Sequence, residues 1–182
     1  MTVSGCRARF WPSSERDEVA EPRWLTEDEQ RAWRRLVSVL LKLPVALDRQ
    51  LQHDAGMSHF EYWVVAMLSE APGHRLQHKQ LAARISSSPS RLSHVMRRLE
   101  ERGWVLRAPN PDDARASDAI LTEHGLAQVR AAAPGHVEAV RQLVFDVLSD
   151  DDVADLERIA ARVLAQLEQR RSAPRSTGVA RT

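Results

Sequence analysis

The 182-residue sequence predicts a mainly α-helical fold with one small β-hairpin, and three observations predict it. Apolar residues recur at intervals of three and four along most of the chain, the period of an amphipathic helix. Two short β-type runs, 104–107 and 119–121, flank the turn Pro109-Asn110-Pro111-Asp112-Asp113 and read as a hairpin. Two short helical stretches, parted by Ser86-Ser87-Ser88, come directly before it.

Residues 1–23 carry two prolines and no apolar period, and read as a disordered tail. Thr26-Glu27-Asp28-Glu29 is a capping box, in which threonine and glutamate satisfy each other's orphan amides. A long helix follows through Trp33, Leu36, Leu40, Leu47 and Leu51, kinked or divided at Pro44 and ended by Gly56. Ser58-His59-Phe60-Glu61 is a second capping box, and the helix it opens stops before Pro72-Gly73. Arg75-Leu76 is long enough for a small strand. Residues 77–85 form the next helix, with Leu81, Ala82 and Ile85 on one face. Ser88-Pro89 then supplies an N-cap and a proline at the first helical position for a helix over 90–102, closed by Gly103. After the hairpin the chain is helical from Thr122, with a bend expected at Pro134-Gly135. Ser149-Asp150-Asp151-Asp152 opens a last helix whose acids suit the positive end of its dipole. Residues 171–182 are polar and read as a second disordered tail. Helix, turn, helix and hairpin together make the winged helix-turn-helix order, and the N- and C-terminal helices, whose apolar sets are too wide for one small wing domain to cover, read as dimerisation helices. The domains are therefore the winged helix-turn-helix over 56–121, and the dimerisation helices over 24–55 with 122–170.

The charge distribution points the same way. Between Arg75 and Arg115 nine basic residues stand against four acidic ones, a local excess of five, while the whole chain has a formal net charge of +1. A basic middle between acidic flanks suits a polyanion. On the helix over 89–102, Leu92, Val95, Met96 and Leu99 converge on one stripe. Ser90, His94, Arg97 and Glu101 lie opposite, with Arg91, Ser93 and Arg98 on the shoulders. A major groove admits such a helix, and hydroxyl, imidazole and guanidinium donors read its base edges. The predicted reading set is Ser87, Ser88, Ser90, Arg91, His94, Arg97 and Arg98, with Gln77 and Lys79 at the preceding helix start on phosphates. Arg115 projects from the wing towards the narrow minor groove, and Asp113 is expected to hold its guanidinium in a fixed fork.

These segments resemble the MarR (multiple antibiotic resistance regulator) family. The resemblance rests on Leu81-Ala82-Ala83-Arg84, Ser88-Pro89-Ser90-Arg91-Leu92-Ser93, the run from Arg98 to Val105, Pro111-Asp112-Asp113-Ala114-Arg115, and Leu121-Thr122-Glu123-His124-Gly125. It covers roughly residues 26–170. It implies an obligate homodimer formed by the first and last helices on a pseudo-palindromic double-stranded DNA operator. It also implies that Arg115 is the minor-groove arginine and Asp113 its partner. A repressor relieved by a small-molecule effector is the family's usual mode. Ala114 departs from the pattern, standing where a second basic residue is common.

Relatives bind small aromatic effectors between the dimer helices and the DNA-binding lobe. Trp33, His53, His59 and Trp63 are the candidates here, with Met57 and Tyr62 beside them. Cys6, next to Arg7 and near Arg9, has a setting that favours thiolate, but a lone cysteine forms no intramolecular disulfide and fits a reducing cytoplasm. The seven histidines show no metal-ligand spacing, and no cofactor is implied. No nucleophile elbow, phosphate loop or paired-cysteine motif occurs, so an enzyme is not expected. No run approaches the ~20 apolar residues of a membrane span, and the N-terminus does not read as a secretory signal. The competing class is a winged-helix protein–protein adaptor that does not bind DNA.

Overall fold

The computed structural model describes residues 22–111, 113 and 115–172. Cys6, Asp112, Ala114 and the C-terminal tail beyond Ser172 lie outside them. The chain divides into two compact units, Met1–Ser38 and Val39–Thr182. Helix α1 (Glu27–Ala55) begins in the first and continues in the second.

The first unit is described from residue 22. Its capping box forms: the Thr26 amide donates to Glu29 Oε2 at 2.8 Å, and the Glu29 amide donates to Thr26 Oγ1 at 3.2 Å. Arg31 pairs with Asp28 and, at 3.9 Å, with Glu27. Trp33 and Leu36 are exposed.

In the second unit α1 continues through Pro44 to Ala55 as one helix, so the proline does not divide it. Leu47 and Leu51 are buried just beyond the proline, and that packing holds the helix through one missing amide bond. Gly56 closes it at φ +61°, a left-handed conformation that glycine adopts without strain. The second capping box opens α2 (His59–Ser69). Strand β1 (Arg75–Gln77) leads directly into α3 (His78–Arg84), and α4 (Pro89–Glu101) follows. Helix α3 starts one residue later than the periodicity suggests, because Gln77 is paired with Asp118 in the sheet. Strands β2 (Val105–Pro109) and β3 (Ser117–Leu121) form the hairpin. Strand β1 adds to its far side, so the sheet has three antiparallel strands in the order β1-β3-β2.

Helix α5 (Glu123–Leu143) passes through Pro134-Gly135 without a break. Ala132 and His136 are buried on either side of the expected bend. A Cβ at Gly135 would make ordinary contacts, 3.4 Å from Gln50 Nε2 and 3.5 Å from Asp54 Oδ2 on α1. Helix α6 (Asp150–Ser172) is capped by Ser149, whose hydroxyl and amide both donate to Asp152 Oδ2. It runs two residues into the segment expected to be a tail.

The core lies under the sheet and among α2 to α5. Met57, Val64, Val65, Leu68, Leu81, Leu92, Met96, Leu99 and Val105 are almost wholly excluded from solvent. Helix α6 differs: Leu156, Ile159, Val163, Leu164 and Leu167 are all exposed. No helix among the described residues is long and apolar enough to cross a membrane.

Candidate nucleic-acid interface

The start of α4 is built from its serines. Ser86 takes a left-handed φ of +51°, turning the chain between α3 and α4. The Ser87 amide returns to Ala82 O at 3.0 Å, and Ser88 Oγ accepts from the Arg91 amide at 3.3 Å. Pro89 occupies the first helical position, where its missing donor is harmless. Leu92, Val95, Met96 and Leu99 then face the core, which turns Ser90, Arg91, His94, Arg97 and Arg98 outward along a shallow groove. A second groove, of about 740 Å³, lies between the helix-turn-helix and the hairpin. Gln77, Lys79, Ser87, Asp113 and Arg115 all line it, so residues up to 38 positions apart in sequence meet on one surface.

Two expected roles change. Asp113 Oδ1 accepts from the Arg115 backbone amide at 3.0 Å. Among the described residues no ion pair joins this carboxylate to the Arg115 guanidinium. The expected fork is replaced by an Asx turn, which shapes the backbone of the tip. Arg98 Nε lies 3.3 Å from Glu61 Oε1, on a side chain only 3% exposed. The other Glu61 oxygen accepts from the Ser58 amide and hydroxyl at 2.7 and 2.8 Å. The cap of α2 therefore also anchors α4, and Arg98 gains a partner behind the groove that it lines.

Sequence reasoning missed the support beneath the wing. Asp118, 3% exposed, accepts from Arg75 Nε at 2.5 Å and from Asn110 Nδ2 at 2.8 Å. Asn110 Oδ1 in turn accepts from the Asp113 amide at 3.0 Å. These bonds run from β1 through β3 to the tip that carries Arg115. The Asn110 amide and the Arg75 guanidinium hold the Asp118 carboxyl below the usual range, against burial. Arg107 is held similarly by Glu100 Oε1 at 3.1 Å and Ser93 O at 3.2 Å. Only the capping box gave a sequence signal for any of these partners.

A separate cavity of about 690 Å³ opens between the second half of α1, α2, the first turn of α4 and α5. Two of the four effector candidates, His59 and Trp63, line it with Phe60, Arg91, His136 and Val140. His53 is exposed on α1 and does not line it, and Trp33 belongs to the first unit. Met57 is in the core, and Tyr62 is buried with its ring 4.3 Å from that of His136. The His59 amide donates to Asp48 Oδ1 at 2.8 Å. Burial pushes the His59 imidazole below its ordinary range despite Asp48. Burial, then the neighbouring His59, lowers His136 as well.

Comparison with known proteins places this geometry. Residues 57–117 match the model of the MarR family. The chain is 43% identical to Sco3205, a MarR family transcriptional regulator from Streptomyces coelicolor whose structure was solved in complex with DNA. That match covers 87% of this chain and 97% of Sco3205, with a TM-score of 0.78. AbsC, a MarR family transcriptional regulator from the same organism, is 36% identical over 81% of this chain and 99% of its own, also at a TM-score of 0.78. The transcriptional repressor MprA of Escherichia coli K12 is 27% identical over 114 residues, 63% of this chain, and the match spans only 64% of MprA. Sco3205, 43% identical and matched over nearly its whole length, shares more than the helix-turn-helix with this chain, and the chain belongs to the MarR family of transcriptional regulators.

Proposed function

We propose that two copies of this chain form a dimer that binds a pseudo-palindromic DNA operator and represses transcription from it. In each copy α4 enters the major groove with Ser88, Ser90, Arg91, His94 and Arg97, while Arg115 reaches the flanking minor groove. Gln77, Lys79 and Ser87 contact the backbone between them, and Arg98 positions α4 through Glu61. Residues 56–121 are the DNA-binding region, and 24–55 with 122–170 form the dimer. The observation that carries the reading is the pair of grooves, one along α4 and one between the helix-turn-helix and the wing, that gather hydroxyl, imidazole and guanidinium groups away from any described acidic partner except Glu61 and Asp113. The solved complex of Sco3205 with DNA supports it. The apolar residues exposed on α1 and α6 supply the dimer contact, and a two-fold pair presents two recognition helices about one DNA turn apart. A small aromatic effector enters the cavity at His59 and Trp63 and releases the DNA. The protein acts in the cytoplasm.

Fluorescence anisotropy on DNA from upstream of the chain's own gene, titrated with salt, tests this. Affinity should fall steeply with salt, and Arg115→Ala should weaken it by about 1–3 kcal/mol and flatten the salt slope by about one. A folded dimer that binds neither this DNA nor any member of a random-site pool would overturn the reading.

A further inference from the structure

Arg115 is exposed, and among the described residues its guanidinium has no hydrogen-bond or ion-pair partner. Its backbone is fixed instead. Asp113 Oδ1 accepts from the Arg115 amide, and the Ala116 amide donates to Asp113 O at 2.9 Å. The Asp113 amide donates to Asn110 Oδ1, and the Asn110 amide closes the tip on Ala116 O at 3.0 Å. Behind the tip, Asn110 Nδ2 and Arg75 Nε each donate to one oxygen of Asp118. Arg75 Nη2 also reaches Pro109 O, the end of β2, at 3.3 Å. One relay of hydrogen bonds thus runs from β1 across β3 to the backbone of Arg115.

Stability alone is a weak reason for this arrangement. Val105, Ala119 and Leu121 already pack the base of the hairpin into the core, and burying a carboxylate costs about as much as its partners return. Apolar packing stops short of the tip, where Pro109, Pro111, Asp113 and Arg115 are all exposed. There the buried Asn110 and Asp118 take its place, and a fully bonded polar network restricts its members to one arrangement. Arg75, Asn110 and Asp118 do not line the groove at Arg115 but a separate hollow of about 300 Å³. Their effect on a partner in that groove passes through the tip.

We propose that Asn110 and Asp118 are positioning residues for DNA recognition: with Arg75 they hold the wing tip so that Arg115 meets the minor groove already placed relative to α4. The inference rests on the reading of Arg115 as the minor-groove contact. A side chain on a preset backbone surrenders less conformational freedom on binding than one on a loose loop. It also enters the groove at one distance from α4. The network therefore sets the spacing between the base pairs read by the helix and the flank read by the wing.

Asp118→Asn tests this, because electrostatics alone predicts the opposite sign. Removing a negative charge beside a DNA-binding surface should tighten binding, whereas losing the relay should weaken it. Anisotropy at pH 7 on DNA selected from a random-site pool reads affinity, and circular dichroism at the assay temperature checks the fold. Asp118→Asn should bind about tenfold more weakly than wild type, within the span expected for losing Arg115 itself. Asn110→Ala, which leaves the charge unchanged, should lose a similar amount. On an Arg115→Ala background either change should cost less than about twofold, since residues that act through one contact are not additive. Replacing A·T pairs by G·C in the flank, where the minor groove is then wider, should weaken the wild type and leave both variants nearly unaffected. Unchanged or tighter binding by a folded variant, a loss that multiplies with that of Arg115→Ala, or a flank preference kept at the wild-type level overturns the proposal. If Asp118→Asn does not fold, Asn110→Ala carries the same test. A wild type that binds no DNA, or that loses nothing in Arg115→Ala, fails the underlying reading and takes the proposal with it.

Discussion

Gly125 sits in the first turn of α5, directly against the end of the loop that follows α4. A Cβ there would lie 2.2 Å from the Trp104 carbonyl oxygen and 2.8 Å from Leu121 Cδ1. Three residues earlier, Thr122 Oγ1 donates to Gly103 O at 2.8 Å and accepts from the Gly125 amide at 3.0 Å. One threonine and one glycine thus fasten α5 to the base of the hairpin. Gly125→Ala should force these backbones apart and cost about 1–3 kcal/mol, the range for overpacking a tight site, read by urea unfolding. Stability equal to wild type would mean that α5 shifts freely there. The run Leu121-Thr122-Glu123-His124-Gly125 is visible in the sequence as a pattern. Its reason is not, because Trp104 meets Gly125 from 21 positions away.

At the scale of elements, a charged network supports the tip of the hairpin, while Val105, Ala119 and Leu121 pack its base into the core. Asp118 is its hinge pin, bound by Asn110 within the hairpin and by Arg75 on β1. Its folded carboxyl titrates below the unfolded value. The stability it contributes is therefore complete above the unfolded carboxylate range near pH 4, and is lost as pH falls through the folded value. Asp118→Asn should be less stable than wild type at pH 7, with the gap closing as the pH is lowered from about 5 to about 3. Urea midpoints at each pH measure it, and a gap independent of pH would show that the charge of Asp118 contributes nothing. Element ends were readable wherever a local rule fixes them: the Thr26, Ser58 and Ser88 caps all form as the residue types predict. Neither proline ends its helix: α1 continues past Pro44 and α5 past Pro134, with buried residues beside each of them.

For the whole molecule, the test concerns what covers α6. Leu164 is 55% exposed, among four other exposed apolar residues of that helix. On the proposed dimer, Leu164→Glu would bury a charge without a partner, and a buried unpaired charge is strongly unfavourable. The variant should run as a helical monomer in sedimentation analysis and lose DNA affinity. A variant that remains dimeric would rule out α6 as the contact. Sequence period marked these apolar stripes correctly, since a helix face is a local property. It did not reveal the links between distant positions: Arg98 with Glu61, Arg75 with Asp118, and the four elements that enclose the cavity. Such links depend on how helices come together, and no spacing rule encodes that. One more consequence follows from the outer face of α4. Among the described residues the side chains of His94 and Arg97 take no part in any hydrogen bond, ion pair or ring contact, while the residues behind them carry the packing. Stability and recognition are thus written in different letters of the same helix. Descendants of this gene are free to exchange those two residues and adopt new target sites without first having to rescue the fold.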